Sequence, residues 1–346
     1  MKVINDIIAA LDKKQYCASL FIDLSKAFDT VDHAILKRRL HLIGLSEHTV
    51  AWFSNYLENR TQCIKYEGLC SEFVTVHKGV PQGSVLGPLL FILYINNVEE
   101  NVSDANMHFY ADDTIIYCFG SSLEQAVNSL QKAFVSVQHS LINLKLVLNA
   151  EKTKLMLFSN HKKVPQAPPV VSTLEGNVIE VVHEYKYLGV VIDDSLTFKL
   201  FIDKLVRKLK LKLGFFFRNK TCFSFGVKKR LVSATFLSVL DYGDLFYMNA
   251  SCTCLLMVDS VYHSALRFIT NCRAKTHHCE LYSRVGWPSL YTRRQCHWFT
   301  FIYKALLGLL PSYICTLLTK RSTNTYALRS NDQLLLTVPF ARTELG

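Results

Sequence analysis

The sequence has no apolar run long enough to cross a membrane. Its longest run, residues 85–95, contains Gly87 and Pro88 and falls well short of the ~20 residues that span a bilayer. Residues 1–16 carry several charged side chains and no apolar segment of the kind found in signal peptides. These absences predict a soluble, intracellular protein without a membrane partner, and they do not distinguish the nucleus from the cytoplasm.

The sequence also lacks a repeated cysteine spacing, an internal repeat and a low-complexity tract. Its 11 cysteines are scattered, and in an intracellular chain most cysteines are buried as small apolar side chains. Zinc-ligand residue types occur together at Cys252-Thr-Cys254 and at His277-His278-Cys279. Neither group has the second matched pair of ligands that a tetrahedral site needs, so the sequence disfavours zinc.

Acidic residues are nearly absent from residues 199–230, which hold eleven Lys and Arg residues and a single acid, Asp203. This segment therefore contributes +10 to the chain's net charge of +11. A solvated helix face usually mixes both signs, whereas a block of one sign is typical of a surface that binds a polyanion.

Length and patterning predict two parts. At 346 residues, half of them apolar, the chain is long enough for about two domains. Strand patterns before residue 192 and helical patterns after it predict an α+β part followed by a helical part. Helices are predicted at residues 3–11, 33–43, 46–57, 84–96, 123–148, 198–217, 227–240, 255–269 and 299–310. Strands are predicted at residues 17–22, 155–158, 178–182 and 187–192, and hairpins at residues 62–76 and 108–117.

The second hairpin carries two adjacent carboxylates. Asp112 and Asp113 lie in a short break, residues 111–114, between apolar, β-favouring runs. Adjacent carboxylates repel each other, and a divalent cation such as Mg²⁺ offsets that repulsion through oxygen ligands. The alternative is a solvated turn in which the Asp side chains bond their own backbone. The apolar flanking runs argue against an exposed turn and favour a metal site.

A third carboxylate, Asp23, ends the apolar run of residues 17–22. A site for two metal ions ~4 Å apart needs carboxylates around both ions, and we expect such ligands to come from separate strands that meet in space. Asp23 and the Asp112-Asp113 pair fit this requirement, because each follows an apolar strand. By itself, Asp23 is better explained as a cap at the end of a strand.

Five segments, in order, resemble the catalytic motifs of reverse transcriptases. They are Phe-Ile-Asp-Leu-Ser-Lys-Ala-Phe-Asp at residues 21–29, Gly-Val-Pro-Gln-Gly-Ser-Val-Leu-Gly-Pro at residues 79–88, Tyr-Ala-Asp-Asp at residues 110–113, Asn-Ala-Glu-Lys-Thr at residues 149–153 and Tyr-Leu-Gly at residues 187–189. Their wording is most similar to the non-LTR, LINE-type retrotransposon enzymes of the jockey-like and CR1-like kind. The similarity continues through Gly-Trp-Pro-Ser at residues 286–289 and Pro-Phe-Ala-Arg at residues 339–342.

The resemblance implies a right-hand polymerase architecture: a palm formed by an antiparallel sheet backed by helices, a helical thumb, a helical C-terminal region and most of the fingers absent. It implies an RNA-directed DNA polymerase, a nucleotidyltransferase that uses two Mg²⁺ ions, with Mn²⁺ as an alternative. The implied partners are an RNA template, a DNA primer or target and deoxynucleoside triphosphates. The implied divisions are a reverse transcriptase domain at residues 1–192, a basic thumb at residues 193–225 and a C-terminal region at residues 226–346.

The resemblance also implies roles for individual residues. Asp23, Asp112 and Asp113 are the expected catalytic metal ligands. Lys152 is expected to protonate the pyrophosphate leaving group, and a solvated lysine at a helix end explains it nearly as well. Phe28 is the expected steric gate under the incoming sugar, its alternative being a core phenylalanine. The remaining assignments are Gln82 and Gly83 for the incoming nucleotide or template, and Tyr187, Leu188 and Gly189 for the primer grip.

Three lysines of the basic segment, Lys204, Lys208 and Lys212, recur at every fourth position. They are therefore expected to line one face of a helix, while Leu205 and Leu209 lie on another face. We expect the leucines to pack and the lysines to contact the backbone of a template–primer duplex. The alternative is a face that is merely solvated.

Two other functions are compatible with the same residues. One is a catalytically inactive remnant that binds nucleic acid, and the other is a metal-dependent nuclease that uses the same carboxylates. In the family, a longer fingers region with basic residues that grip the triphosphate precedes the first motif, whereas only about sixteen residues precede the Asp23 strand here. The endonuclease domain and the Cys/His knuckle of complete elements are not seen either. We therefore expect an N-terminally truncated fragment that polymerises poorly or not at all.

Overall fold

A computed structural model describes residues 1–102, 104–159, 169–318 and 336. The chain forms two compact units, one of Lys13–Tyr185 and one that combines Met1–Asp12 with Lys186–Gly346. The predicted division at residues 192 and 225 is a division by function, and it stays a prediction. The motif at residues 339–342 lies outside the described residues.

Most predicted elements form where the sequence places them. The helices are α1 (Lys2–Asp12), α2 (His33–Leu42), α3 (Glu47–Leu57), α4 (Leu86–Ile95), α5 (Leu123–Asn143), α6 (Lys199–Arg218), α7 (Phe225–Val232), α8 (Ser238–Leu240), α9 (Cys252–Thr270), α10 (His278–Val285), α11 (Leu290–Leu306) and α12 (Ser312–Cys315). The strands are β1 (Tyr16–Ile22), β2 (Thr61–Gln62), β3 (Lys65–Tyr66), β4 (Leu69–Cys70), β5 (Val74–Thr75), β6 (Asn106–Tyr110), β7 (Asp113–Gly120), β8 (Lys154–Phe158), β9 (Glu180–Val181), β10 (Glu184–Tyr187) and β11 (Val190–Asp193). Short 3-10 turns lie at Ala27–Asp29, Asn96–Asn101 and Lys220–Cys222, and a π-helical turn at Ser233–Leu237 joins α7 to α8.

A five-stranded sheet organises the unit Lys13–Tyr185, with the strand order β6-β7-β1-β8-β9. β1 pairs antiparallel with both β7 and β8, β6 pairs antiparallel with β7, and β9 lies parallel to β8. β1 is central because it is almost wholly apolar, and a central strand is buried on both faces. Helix α5 packs on β1 and β7, so the sheet is backed by a helix as predicted.

Helix α5 ends earlier than its apolar pattern predicts. The pattern continues to Leu148, but the last helical residue is Asn143. Lys145 has a left-handed φ of 54°, which a right-handed helix cannot contain. Leu148 instead forms a bridge with Leu24, just after β1. Because α5 ends early, residues 147–153 lie at the end of the central strand.

Two predicted strands have partners that the sequence did not indicate. Residues 178–182 contain the short strand β9, which pairs with β8. Residues 187–192 are not a single strand, because Tyr187 ends β10 and β11 pairs back on it. Between them, Leu188 and Gly189 have φ angles of 47° and 83°, which lie outside the strand region.

Helix α6 divides its faces as predicted. Leu205 and Leu209 are buried, whereas Lys204 and Lys208 are exposed and Lys212 is half-buried. The buried face packs against α9, which also contacts α7 and α10. A long apolar stripe therefore anchors α6 in the helical unit and leaves its positive charge at the surface.

The remaining helices differ from the predictions in small ways. Helix α10 was not predicted, and the helix predicted at residues 299–310 begins at Leu290 and ends at Leu306 as α11. The hairpin predicted at residues 62–76 forms, with β2 paired to β5 and β3 to β4. None of the helices in the described part of the chain has both the length and the apolar character needed to cross a membrane.

Candidate active site

The tip of the β6–β7 hairpin is a two-residue turn, Ala111-Asp112. Tyr110 pairs with Asp113 across the hairpin, so Asp113 already belongs to a strand. Ala111 has a φ of 55°, a left-handed conformation that is typical of tight hairpin turns. The break is therefore shorter than the predicted residues 111–114. Asp112 in the turn and Asp113 at the start of β7 place two carboxylates at one end of the sheet.

The register of the central strands brings Asp23 to the same end. Ile22, the last residue of β1, pairs with Thr114, so the next residue, Asp23, comes beside Asp113. Burial raises the pKa of the Asp113 carboxyl above its ordinary value, and the charges of Asp112 and Asp23 raise it further. The structure thus brings three predicted metal ligands into one electrostatically coupled cluster.

The donor set of this cluster fits a hard divalent cation. Carboxylate oxygens are the ligands such ions prefer, and a cation relieves the repulsion among three like charges. Some groups of described residues have ligand atoms that all lie within 4.8 Å of one another. Asp23, Asp112 and Asp113 do not form such a group.

The segment after α5 holds Asp23 by its backbone. The Asn149 N–H donates to the Asp23 carbonyl at 2.9 Å, and the Asp23 N–H donates to the Thr153 hydroxyl at 3.3 Å. The Thr153 hydroxyl donates in turn to the Asn149 carbonyl at 2.7 Å. Lys152 lies in the same turn with an exposed side chain, and its N–H donates to the Asn149 side-chain oxygen at 3.2 Å. None of these bonds uses the Asp23 carboxylate.

Tyr185 borders the cluster, although sequence reasoning did not single it out. Its ring stacks on Phe21 with 4.1 Å between the centroids and 19° between the planes. Burial raises the pKa of the Tyr185 hydroxyl, and the charges of Asp113 and Asp23 raise it further. The sequence indicates Tyr185 only weakly: it lies two residues before the predicted primer grip. Tyr185 forms an aromatic wall beside the carboxylates.

The loop before α4 is bonded to the segment that follows Asp23 in the chain. The Val80 N–H donates to the Phe28 carbonyl at 2.8 Å. Gly79 has a φ of 89°, and a Cβ there would lie 2.8 Å from the Asp29 Cα, so only glycine fits. The side-chain amide of Gln82 donates to the Asp29 carboxylate at 2.8 Å. The first and second sequence motifs therefore form one continuous surface.

Two residues predicted to contact the nucleotide lie on this surface. Phe28 is half-buried, and its ring packs against Phe91 with 4.8 Å between the centroids. Gly83 has a φ of 79°, and no atom lies within 4 Å of the point where a Cβ would stand. Part of the Phe28 ring is therefore exposed. The space next to the Gly83 backbone is open.

The predicted primer-grip residues form the turn between β10 and β11. The Tyr242 hydroxyl donates to the Leu188 carbonyl at 2.5 Å. A Cβ on Gly189 would come 3.1 Å from the Tyr242 ring, so glycine lets the ring approach the turn. Tyr187 is half-buried at the end of β10. Tyr242 thus braces this turn, and its distance along the chain explains why the sequence did not reveal it.

The helical unit contains a local group of metal-ligand side chains. His277, His278 and Cys279 are exposed, and their ligand atoms lie within 4.8 Å of one another. The His277 ring also caps α10 by accepting from the Cys279 N–H at 3.4 Å. The exclusion of zinc on sequence grounds stays a prediction.

A second group is an ion-pair network. Arg293 makes two hydrogen bonds to the Asp241 carboxylate, at 2.7 and 2.5 Å. His297 Nδ1 lies 2.5 Å from the carboxylate of buried Asp244. Burial raises the pKa of Asp244, and the hydrogen bond from His297 opposes that shift. Because these side chains satisfy one another's charges, the group is a structural link between the segment after α8 and helix α11.

Residues 2–192, more than half of the chain, match the family described as reverse transcriptase (RNA-dependent DNA polymerase). The chain is 30% identical over 219 residues to the RNA-directed DNA polymerase from mobile element jockey of Drosophila funebris, covering 61% of this chain and 23% of that protein. It is 29% identical over 253 residues to the protein of the same name from Drosophila melanogaster, covering 70% and 27%. The chain thus spans about a quarter of the length of these relatives. The structure of apo telomerase from Candida tropicalis is similar with a TM-score of 0.42 and 16% identity, covering 78% of this chain and 45% of that one.

Proposed function

Because the chain belongs to the reverse transcriptase (RNA-dependent DNA polymerase) family, we propose that it performs RNA-templated DNA synthesis as part of a non-LTR retrotransposon. The observation that carries the proposal is the strand register that brings Asp23, Asp112 and Asp113 to one end of the central sheet. The names of the relatives, RNA-directed DNA polymerases of mobile elements, support the same activity. The proposed substrates are an RNA template, a DNA primer or target and deoxynucleoside triphosphates.

The three aspartates would hold two divalent cations, with Mg²⁺ preferred and Mn²⁺ as an alternative. When bound, the ions activate the attacking hydroxyl and stabilise the leaving phosphate oxygens. The chain itself supplies preorganisation, because sheet pairing and the Asn149 and Thr153 hydrogen bonds hold the Asp23 backbone in place. Lys152, in the same anchored turn, would give a proton to the departing pyrophosphate.

The surface formed by the first and second motifs would hold the incoming nucleotide. Phe28 would lie under the sugar and exclude a 2′-hydroxyl, a role supported by its half-exposed ring and its backbone bond to the glycine loop. Gln82 would contact the nucleotide or template, and its hydrogen bond to Asp29 would orient it. The open space beside Gly83 would let a nucleic-acid backbone approach the loop.

Two parts of the chain after Tyr185 would bind the template–primer duplex. One is the turn between β10 and β11, which Tyr242 braces and which would grip the primer. The other is the exposed face of α6, whose positive charge suits duplex phosphates. The residues proposed for these contacts are Tyr187, Leu188 and Gly189 in the turn and Lys204, Lys208 and Lys212 on the helix.

Extension of a DNA primer on an RNA template with Mg²⁺ tests the proposal. In a complete version of the enzyme, Asp112→Asn should lower Mg²⁺-dependent extension by at least about a hundredfold and leave RNA binding largely intact. Asp104→Asn is the matched control, because it makes the same chemical change at an exposed residue just before β6. Wild-type binding without extension would indicate the inactive remnant. Cleavage of a labelled template without nucleotide addition would indicate the nuclease.

A further inference from the structure

A basic cavity of about 330 Å³ lies in the helical unit, where the end of α6 meets α7 and the end of α9. Three cationic side chains line it, Lys220, Lys228 and Arg267. Among the described residues that line it, none is acidic. Ligand cavities in proteins usually hold roughly 300–1,000 Å³, so this one suits a ligand of the size of one nucleotide.

Lys228 is buried in this cavity, and no acidic side chain of the described residues forms an ion pair with it. Its side chain is 2% exposed, and its ammonium donates to the Asn271 side-chain oxygen at 2.7 Å. The ammonium also lies 5.3 Å from the centre of the Phe268 ring. Both partners are neutral, whereas lysines are almost never fully buried unless they are paired with an anion. The cavity therefore holds one positive charge that an anionic ligand would balance.

Arg267 lines the same cavity. Its Nε is buried and has no hydrogen-bond partner among the described residues. A buried donor without a partner is costly, and a guanidinium matches a phosphate group with parallel hydrogen bonds. A phosphate is thus the anion that would satisfy both Arg267 and Lys228.

Aromatic side chains line the same cavity. The Phe217 side chain is 41% exposed, and its ring packs edge-on against Phe268 with 5.6 Å between the centroids. Phe223, after the 3-10 turn, is half-buried on the cavity wall. An exposed ring beside a phosphate site is typical of proteins that bind single-stranded nucleic acid, because bases stack on it.

We propose that this cavity binds one nucleotide unit of a single-stranded nucleic acid, with its phosphate on Lys228 and Arg267 and its base on Phe217. The ligand is a strand because Lys220, which lines the cavity, is exposed and belongs to the basic segment of residues 199–230. The inference shares with the proposed function only the assumption that the protein handles nucleic acid. The site needs neither the aspartates nor polymerase activity.

Salt-dependent binding of a fluorescent single-stranded oligonucleotide to the 346-residue chain tests the phosphate contact. Arg267→Gln should lower the slope of log affinity against log salt by about 0.7, the value for one phosphate contact on a single strand. Lys275→Gln is the matched control, because it removes one charge from an exposed residue that does not line the cavity. Equal slopes for the two variants would overturn the proposal. Because replacing buried Lys228 risks unfolding, Arg267 carries the test.

Two further measurements separate a strand from other anions. Phe217→Leu should weaken binding by about fivefold or more at an unchanged slope, and an abasic oligonucleotide should bind this variant and the wild type equally. Inorganic phosphate, compared with chloride at equal ionic strength, should raise the melting temperature of the wild type but not of Arg267→Gln. A phosphate effect with unaltered oligonucleotide binding would assign the cavity to a free anion or an acidic peptide and overturn the proposal. Oligonucleotide binding that follows this pattern in a wild-type chain that extends no primer would count against the proposed function and not against this cavity.

Discussion

The side-chain amide of Gln82 donates a hydrogen bond to the carboxylate of Asp29, with 2.8 Å between the two atoms. Both residues are exposed, so the bond contributes only about 0.5–1.5 kcal/mol to stability. The bond orients Gln82. A residue of the first motif therefore positions a side chain of the glycine loop. Sequence reasoning assigned Gln82 to the nucleotide and did not connect it with Asp29.

Asp29→Ala should therefore impair the use of nucleotides more than it impairs folding. Loss of the acceptor frees Gln82, and we expect the KM for deoxynucleotides to rise about tenfold, because misplaced contacts cost alignment. Asp29→Asn retains an oxygen that can accept from Gln82 and should stay close to the wild type. Steady-state primer extension measures both effects. Equal losses in the two variants would show that the charge of Asp29, rather than its bond to Gln82, is what matters.

Phe28→Val should let a complete version of the enzyme incorporate ribonucleotides more readily. The half-exposed ring of Phe28, packed on Phe91, is proposed to close the space for a 2′-hydroxyl. Truncation of a partly buried ring should also lower the free energy of unfolding by about 1–2 kcal/mol. Phe53→Val, at a half-buried residue of α3, controls for that loss. The readout is the ratio of kcat/KM for the two sugars, and an unchanged ratio would reassign Phe28 to the core.

Replacing Lys204, Lys208 and Lys212 together with Gln should flatten the salt dependence of binding to an RNA–DNA duplex. Each phosphate contact contributes about 0.9 to the slope on duplex DNA, so three contacts should remove between two and three units. Fluorescence anisotropy across a salt series measures this slope.

A matched control for the lysine variant replaces Lys13, Lys14 and Lys132, which are exposed in the unit Lys13–Tyr185. The control carries the same change in net charge and should keep the wild-type slope. If both triple variants lose the same slope, the charge of the whole protein acts on the duplex and the α6 face has no special role.

Asp112 and Asp113 are expected to destabilise the protein when no metal is bound. The pKa of Asp113 is raised by burial, and then by the charges of Asp112 and Asp23. A group with a raised pKa contributes its stability below its ordinary pKa of 3.8 and loses it as the pH rises through the folded value. At neutral pH, Asp112→Asn should therefore raise the melting temperature by about 1–2 °C. The gain should vanish below the ordinary carboxyl pKa.

Two measurements check the source of that gain. An NMR titration should show a lower pKa for Asp113 in Asp112→Asn than in the wild type, because one neighbouring negative charge is gone. Mg²⁺ should raise the melting temperature of the wild type more than that of the variant, since it binds the intact cluster better. Asp104→Asn should change neither quantity. If the pKa of Asp113 is the same in Asp112→Asn and in the wild type, the two carboxylates are not coupled.

The sequence predicted the features whose signals are local. Apolar periodicity located α5 and α6, and short motifs located the ends of β1 and the hairpin tip that carry Asp23, Asp112 and Asp113. The early end of α5 was missed because the left-handed Lys145 interrupts an apolar pattern that continues past it. Periodicity reports which residues could share a face, and it does not report where the backbone turns.

Contacts between residues far apart in sequence could not be predicted from the pattern. Tyr185 stacks on Phe21, and Tyr242 donates a hydrogen bond to the Leu188 carbonyl. The residues next to each tyrosine in the sequence do not indicate these partners. The sequence also did not predict which charged side chains are buried. Lys228 counted as one of many surface cations in the sequence, whereas it is 2% exposed in the fold.

The partners of β1 have a consequence for how the protein is made. Cys17 pairs with Phe119 on one side and with Phe158 on the other, so β1 leaves the ribosome long before either neighbour exists. Until β7 and β8 follow, a strand that is apolar on both faces has no edge to pair with, and such nascent strands are prone to aggregate. Folding of the sheet must therefore wait for most of the unit Lys13–Tyr185 to be translated.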